Sequence, residues 1–251
     1  MDNKIKQLIN DLKDYLSDKN IISRLELRTE IKSLIKRYNI QELDEIIKFE
    51  KKDDSSILQF IFNSIISTHS IPNAPFLPEK LIYENIIFYY PQPVQNIDEI
   101  IKSAFDRYCE FIIKKMRDKV HTVYFKANYH FEDISDTRFL AIRGNLKQLI
   151  IFYPTASILY NDLKSMIEFE DSIIIIPQGA TPAPYFNIYK EFSDALLLEE
   201  NIVLLFNTEE DILSPFIGLP KDELIIHQLK PDKNIIQFKR QFQNFFNDEE
   251  F

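Results

Sequence analysis

The chain has 251 residues, 45% of them hydrophobic and 27% charged, which is typical of a globular protein with a substantial core. Its single cysteine, Cys109, excludes an internal disulfide framework and any zinc site built from several cysteines. The net charge of −9 is concentrated in residues 155–251, which hold 7 Lys and Arg against 17 Asp and Glu. An acidic surface repels phosphate backbones, so non-specific nucleic-acid binding is disfavoured.

The first segment of the chain is predicted to be helical. Apolar residues recur between Ile5 and Leu16 at the spacing of one helix face. Ser23 to Glu26 and Asn39 to Glu42 have the form of capping boxes, which open helices. We therefore expect residues 1–70 to form an all-helical N-terminal region.

Residues 71–84 contain several prolines and cannot continue a helix. They are predicted to be a linker or a surface loop, and residues 85–251 are predicted to form an α/β domain. The N-terminal residues are too charged for a signal peptide, and no apolar run approaches the length of a membrane span. We expect a soluble, cytoplasmic protein with no membrane span.

Beyond the linker, apolar strands end in proline before a helix in three places, with the sequences IIFYYP, LIIFYP and SIIIIP. Strands this apolar are typical of sheets covered by helices on both faces. The sequence predicts an antiparallel pair of strands at residues 119–131 and 138–144. It also predicts a short helix that starts at Thr208 and a strand at residues 223–229. The predicted fold class is α/β, with a mixed, mainly parallel sheet flanked by helices and an all-helical N-terminal region.

Ligands of open α/β sheets bind beyond the carboxyl ends of the strands, where following helices present free amides. The candidate ligand-binding residues at these ends are Thr155, Ser157, Gln178, Gly179 and Thr181. They could hold a phosphate, a carboxylate or another anionic small molecule. Ordinary helix caps and a turn explain the same residues, and the loop matches neither the dinucleotide fingerprint nor the Walker loop.

Other polar groups have equally plain structural explanations. Glu209, Glu210 and Asp211 could act as acids, but acidic residues in a first helical turn are ordinary capping residues. Residues 131–136 carry three acids in a loop, and their spacing fits no EF-hand, so no metal site is predicted. Three basic residues could bind an anion if they share a face, or could simply be solvated: Lys126, Arg138 and Arg143.

No nucleophile elbow or other catalytic motif is present, so no catalytic residue or cofactor is assigned. The leading hypothesis is a non-catalytic binding or regulatory protein that acts through protein–protein contacts, with an acidic C-terminal surface suited to a basic partner. Self-association is a further option, since a terminal helix with a phenylalanine face must dock on its own domain or on another chain. The alternative is a Rossmann-like sensor or enzyme that binds an anionic or nucleotide-like molecule near residues 155–157 and 178–181.

Overall fold

A computed structural model describes residues 2–17, 19, 21–40, 79–90, 96–165, 171–231 and 235. The chain divides into two compact units, Met1–Tyr108 and Cys109–Phe251. The predicted linker lies mostly outside the described residues, as do the second predicted capping box beyond Ile40 and the terminal phenylalanine helix. The domain boundaries expected from the sequence therefore stay a prediction.

The first unit combines helices with a small antiparallel sheet of order β1-β3-β2. Its elements are α1 (Asp2–Ser17), β1 (Ile22–Ser23), α2 (Arg24–Tyr38), β2 (Glu79–Tyr83), β3 (Ile86–Tyr90) and the start of α3 (Ile97–Lys126).

The prediction of an all-helical N-terminal region is wrong, because β1 pairs with β3 and lies between two helices. Ile22 stands opposite Tyr89, 67 positions further along the chain. A two-residue strand has no periodicity of its own, so only its distant partner defines it.

The second unit is built on a six-stranded sheet of order β4-β5-β6-β7-β8-β9. After the end of α3, its elements are β4 (His130–Ser135), β5 (Arg138–Arg143), β6 (Leu146–Phe152), α4 (Ala156–Ser165), β7 (Ser172–Pro177), α5 (Ala183–Leu198), β8 (Ile202–Asn207), β9 (Ile212–Ile217) and α6 (Glu223–Ile226).

The predicted mainly parallel sheet is also wrong. Among the strands that the structure describes in this sheet, β6–β7 and β7–β8 are the parallel pairs, whereas β4–β5, β5–β6 and β8–β9 are antiparallel. The mixed α/β character is confirmed, and the three parallel strands occupy the middle of the sheet.

Two local errors produced the wrong topology at the C-terminal end. The segment after Thr208 is a turn between β8 and β9 instead of a helix, and residues 223–226 are helical instead of extended. Pro215 lacks a backbone N–H and is therefore unusual in a central strand. It is tolerated in β9, because β9 is an edge strand that pairs with β8 alone.

Helices cover both faces of this sheet. Leu159 of α4 and Ile188 of α5 are fully buried against one face, together with Ile176 and Val203. On the other face, His121 of α3 stacks on Phe131 with ring centroids 4.2 Å apart. Of the three parallel strands, β7 and β8 are buried along their whole length, whereas β6 is exposed at its start and buried toward its end.

Candidate functional site

Thr155 and Ser157 lie at the start of α4, just beyond the end of β6. Thr155 is buried, and its Oγ1 accepts a hydrogen bond from the amide of Ile158 at 3.2 Å. The Thr155 side chain therefore caps the helix, which is the plainer of the two roles predicted for it. Ser157 is half-buried in the first turn of the same helix.

The loop after β7 carries the other three predicted residues, Gln178, Gly179 and Thr181. The Gln178 amide donates to the Phe206 carbonyl at 3.0 Å and so extends the β7–β8 ladder. The Tyr185 hydroxyl donates to the Pro177 carbonyl at 2.6 Å and accepts from the Gly179 amide.

Burial raises the pKa of Tyr185, so its hydroxyl stays protonated and remains a donor. Two amides of this loop thus have partners within the chain. Because β6 and β7 are parallel, both predicted loops follow the carboxyl ends of these strands and lie at the same end of the sheet. A ligand at residues 155–157 and 178–181 remains a prediction.

A cavity of about 580 Å³ lies at the opposite end of the parallel strands, where β6, β7 and β8 begin. We call it the β6–β8 cavity. Its walls come from the end of β5 and the turn into β6, the first residues of the three parallel strands, and the segment that opens α6. The volume falls within the usual range for ligand-binding pockets.

Asp222 organises one wall of this cavity. Its Oδ2 accepts a hydrogen bond from the Tyr129 hydroxyl at 2.6 Å and pairs with the Arg143 guanidinium, also at 2.6 Å. Its Oδ1 accepts from the Leu224 amide at 2.9 Å and caps α6. Burial alone would raise the pKa of Asp222, but the hydrogen bonds from Tyr129, Leu224 and Arg143 outweigh it and hold the pKa below its ordinary value.

Four carboxylates and three cations line the cavity. Arg143 pairs with Asp222, and Lys221 pairs with Glu200. Among the described residues, the three remaining charged groups form no ion pair: Lys147, Asp171 and Glu223. With both pairs neutral, the lining keeps a net negative charge.

Gln148 adds a polar group without a partner. Its side-chain Oε1 is buried and finds no hydrogen-bond donor among the described residues. A buried acceptor left unpaired costs about 1–3 kcal/mol. Leu146 and Leu224 line the same cavity and remain 50% and 47% exposed.

Sequence reasoning did not single out this cavity. Its residues come from five separated parts of the chain, at 129 and near 143–148, 171–173, 200–202 and 221–224, and no local motif connects them. Arg143 was the one exception, as a candidate for anion binding. In the fold, Arg143 forms an ion pair with the Asp222 carboxylate, so the anion that it binds belongs to the chain itself.

The predicted acidic segments have structural roles. Asp133 lies in β4 and pairs with Arg117 at 2.6 Å. In the turn after β8, where a helix was predicted to start at Thr208, the Asn207 side chain accepts hydrogen bonds from the amides of Glu209 and Glu210. Within the described ranges, no three His, Cys, Asp or Glu residues are grouped as a metal site would require.

The helices that the structure describes include none that is both long and apolar enough to span a membrane. No protein-family model and no curated protein matches this chain.

Proposed function

We propose that the protein is a non-catalytic binding protein that holds a basic protein partner against its acidic C-terminal part. The observation that carries this proposal is the β6–β8 cavity, where carboxylates outnumber cations and exposed leucines stand beside them. Charge complementarity steers such partners together and selects among them, whereas apolar contacts supply much of the affinity.

A second group of exposed leucines supports the proposal. Leu197 and Leu198 at the end of α5 are 51% and 81% exposed, and Leu219 is 57% exposed. The side chain of Leu197 lies against Gly218, so the end of α5 and the segment after β9 are in contact. We call these three residues the leucine patch.

The leucine patch lies beside the cavity. The Lys221–Glu200 ion pair joins the same two segments, and both of its residues line the cavity. Apolar side chains next to an acidic depression suit a partner segment that carries both apolar and basic residues.

Affinity purification of the tagged full chain tests the proposal. We expect a basic protein to be retained at about 50 mM NaCl and largely released at about 500 mM, because salt screens the charged contacts. The double variant Leu198→Ser/Leu219→Ser should retain about ten-fold less of it, since an interface loses its apolar contacts.

The matched control is Phe125→Ser, which removes a 74% exposed apolar side chain of α3 outside the leucine patch. It should retain the partner as the wild type does. Equal retention by the wild type and by the leucine-patch variant, at both salt concentrations, would refute the proposed function.

A further inference from the structure

We infer that the packing of His121 against the edge strand β4 is a pH-sensitive contact, which releases the first part of β4 when the ring gains a proton. The inference goes beyond the proposed function and concerns another part of the second unit. Three observations carry it: the ring packs on two phenylalanines, one ring nitrogen is buried without a partner, and β4 is a sheet edge.

The His121 ring joins α3 to the first two strands of the sheet. It stacks on Phe131 of β4 with ring centroids 4.2 Å apart, and it packs edge to face on Phe139 of β5 at 4.9 Å. Phe131 and Phe139 also pack edge to face on each other at 5.2 Å. The three rings therefore form one aromatic cluster.

The buried ring nitrogen makes this cluster sensitive to a proton. The His121 Nε2 is buried and has no hydrogen-bond partner among the described residues. A neutral ring can leave Nε2 without a hydrogen, whereas a protonated ring carries an N–H at both nitrogens. Protonation therefore places a charged donor without an acceptor beside aromatic rings, which costs more than burial of the neutral ring.

The charged groups near the ring do not remove this cost. Burial and Arg117 of α3 lower the pKa of His121, whereas Asp133 of β4 and Asp118 of α3 raise it, and the lowering prevails. The Asp133 carboxylate already pairs with Arg117 at 2.6 Å, so its charge is largely compensated. From β5, the ring is faced by the uncharged Phe139.

The first part of β4 depends on this contact. In the described part of the sheet, β4 pairs with β5 alone, and Phe131 is the one residue of β4 that is not exposed. A protonated His121 must leave the cluster to bring its Nε2 to water, and Phe131 then loses the ring on which it stacks.

The far end of β4 is held differently. Arg117 donates to the Ser135 and Asp136 carbonyls and to the Asp133 carboxylate, and arginine keeps its charge at any pH near neutrality. Opening therefore begins at residues 130–132. It leaves the opposite residues of β5, Leu140–Ile142, with a free backbone edge that another strand can pair with.

The direction of the pH effect follows from the lowered pKa. The ordinary pKa of histidine is 6.5, and that of folded His121 lies below it. The closed state therefore binds fewer protons than the open state as the pH falls below 6.5. The stability of the contact is fully present above that value and is lost toward the lower folded pKa.

Hydrogen exchange of the full chain at about pH 7.5 and about pH 5.5, followed by NMR, tests the inference. We expect the protection factors of the amides that join residues 130–132 to β5 to fall about five-fold at the lower pH. The limit is about ten-fold, because an opened ring one pH unit below its pKa is protonated about ten times more often than it is neutral.

The variant His121→Phe keeps an aromatic ring in the cluster but cannot gain a proton. Its protection factors at the two pH values should agree within about two-fold. The matched control His130→Gln removes an exposed histidine from β4 itself and should keep the fall seen in the wild type. Thermal unfolding checks that each variant is folded.

The wild type provides a second measurement, the titration of the His121 ring hydrogens by NMR, whose midpoint should lie below 6.5. A midpoint at or above that value would overturn the inference, as would equal protection of these amides at both pH values. An equal fall in His121→Phe would also overturn it, because another group would then respond to the proton. Loss of the fall in His130→Gln would assign the effect to His130 instead.

Discussion

Asp222 shows how one carboxylate can connect separated parts of the fold. It accepts hydrogen bonds from the Tyr129 hydroxyl just before β4 and from the Leu224 amide of α6, and it pairs with Arg143 at the end of β5. Its side chain is only 7% exposed, so these contacts lie mostly out of water and are stronger than surface ion pairs. The cavity wall depends on this residue for its geometry.

Asp222→Asn should lower the free energy of unfolding by about 2 kcal/mol at neutral pH, because Arg143 and Tyr129 lose a charged acceptor. The pKa of folded Asp222 lies below its ordinary value of 3.8, so its stabilising contribution is present above that value. It is lost progressively as the pH falls from the ordinary pKa toward the lower folded one.

Urea unfolding of the wild type and the variant between pH 7 and about pH 3 measures this effect. The difference between the two proteins should shrink toward the acidic end. A difference that stays constant over that range would mean that Asp222 acts only as an uncharged helix cap.

At the scale of elements, the capping box that opens α2 also anchors β1. The Glu26 carboxylate is buried and accepts from the Ser23 amide at 3.0 Å and from the Ser23 hydroxyl at 2.7 Å. Arg107 of α3 donates to the same carboxylate at 2.7 Å and to the Ile21 carbonyl at 2.6 Å. The sequence predicted this capping box, but the arginine came from 81 positions away.

Glu26→Gln should lower the free energy of unfolding by roughly 1–3 kcal/mol, since a buried network loses its charged acceptor. Denaturant unfolding followed by far-UV circular dichroism measures the change. Asp14→Asn is the control, because Asp14 is exposed on α1. It should change stability by less than about 0.5 kcal/mol. If the two variants lowered the free energy of unfolding equally, the buried Glu26 network would not stabilise the fold more than a surface charge does.

The end of α3 shows how burial overrides local preference. Residues 119–131 are rich in β-branched and aromatic side chains and were predicted to be a strand, yet the helix continues to Lys126. Val120 and Tyr124 continue the buried helical stripe of Ile112 and Met116. Packing along that stripe outweighs the modest strand preference of individual residues.

At the scale of the second unit, stability should be highest in the middle of the six-stranded sheet. Every residue of β7 and β8 is buried, whereas most of β4 is exposed and bonded to β5 alone. Edge strands open more readily because they have fewer contacts to break.

Native-state hydrogen exchange should therefore find the slowest amides in β7 and β8 and much faster amides in β4. The expected reason is that the central strands exchange only when the whole unit unfolds. The antiparallel strand β5, bonded on both sides, is the internal comparison and should be protected more than β4. Protection of β4 equal to that of β7 would contradict this order.

Much of the candidate cavity was beyond sequence reasoning. Asp171, Gln148 and Glu223 are unremarkable in their own segments, near the starts of two strands and at the first residue of a short helix. At the other end of the strands, the helix cap formed by Thr155 could be recognised from the sequence, because caps and turns depend on neighbouring positions.

The sequence by itself determined the central apolar strands, the capping box of α2, and the concentration of negative charge in residues 155–251. These depend on periodicity, adjacent residues and composition, which are local properties. Only the tertiary structure decided that β9 is an antiparallel edge strand, that α3 remains helical to its end, and that five distant parts of the chain enclose one cavity. Those outcomes depend on which surfaces are buried together, and distant parts of the chain decide that jointly.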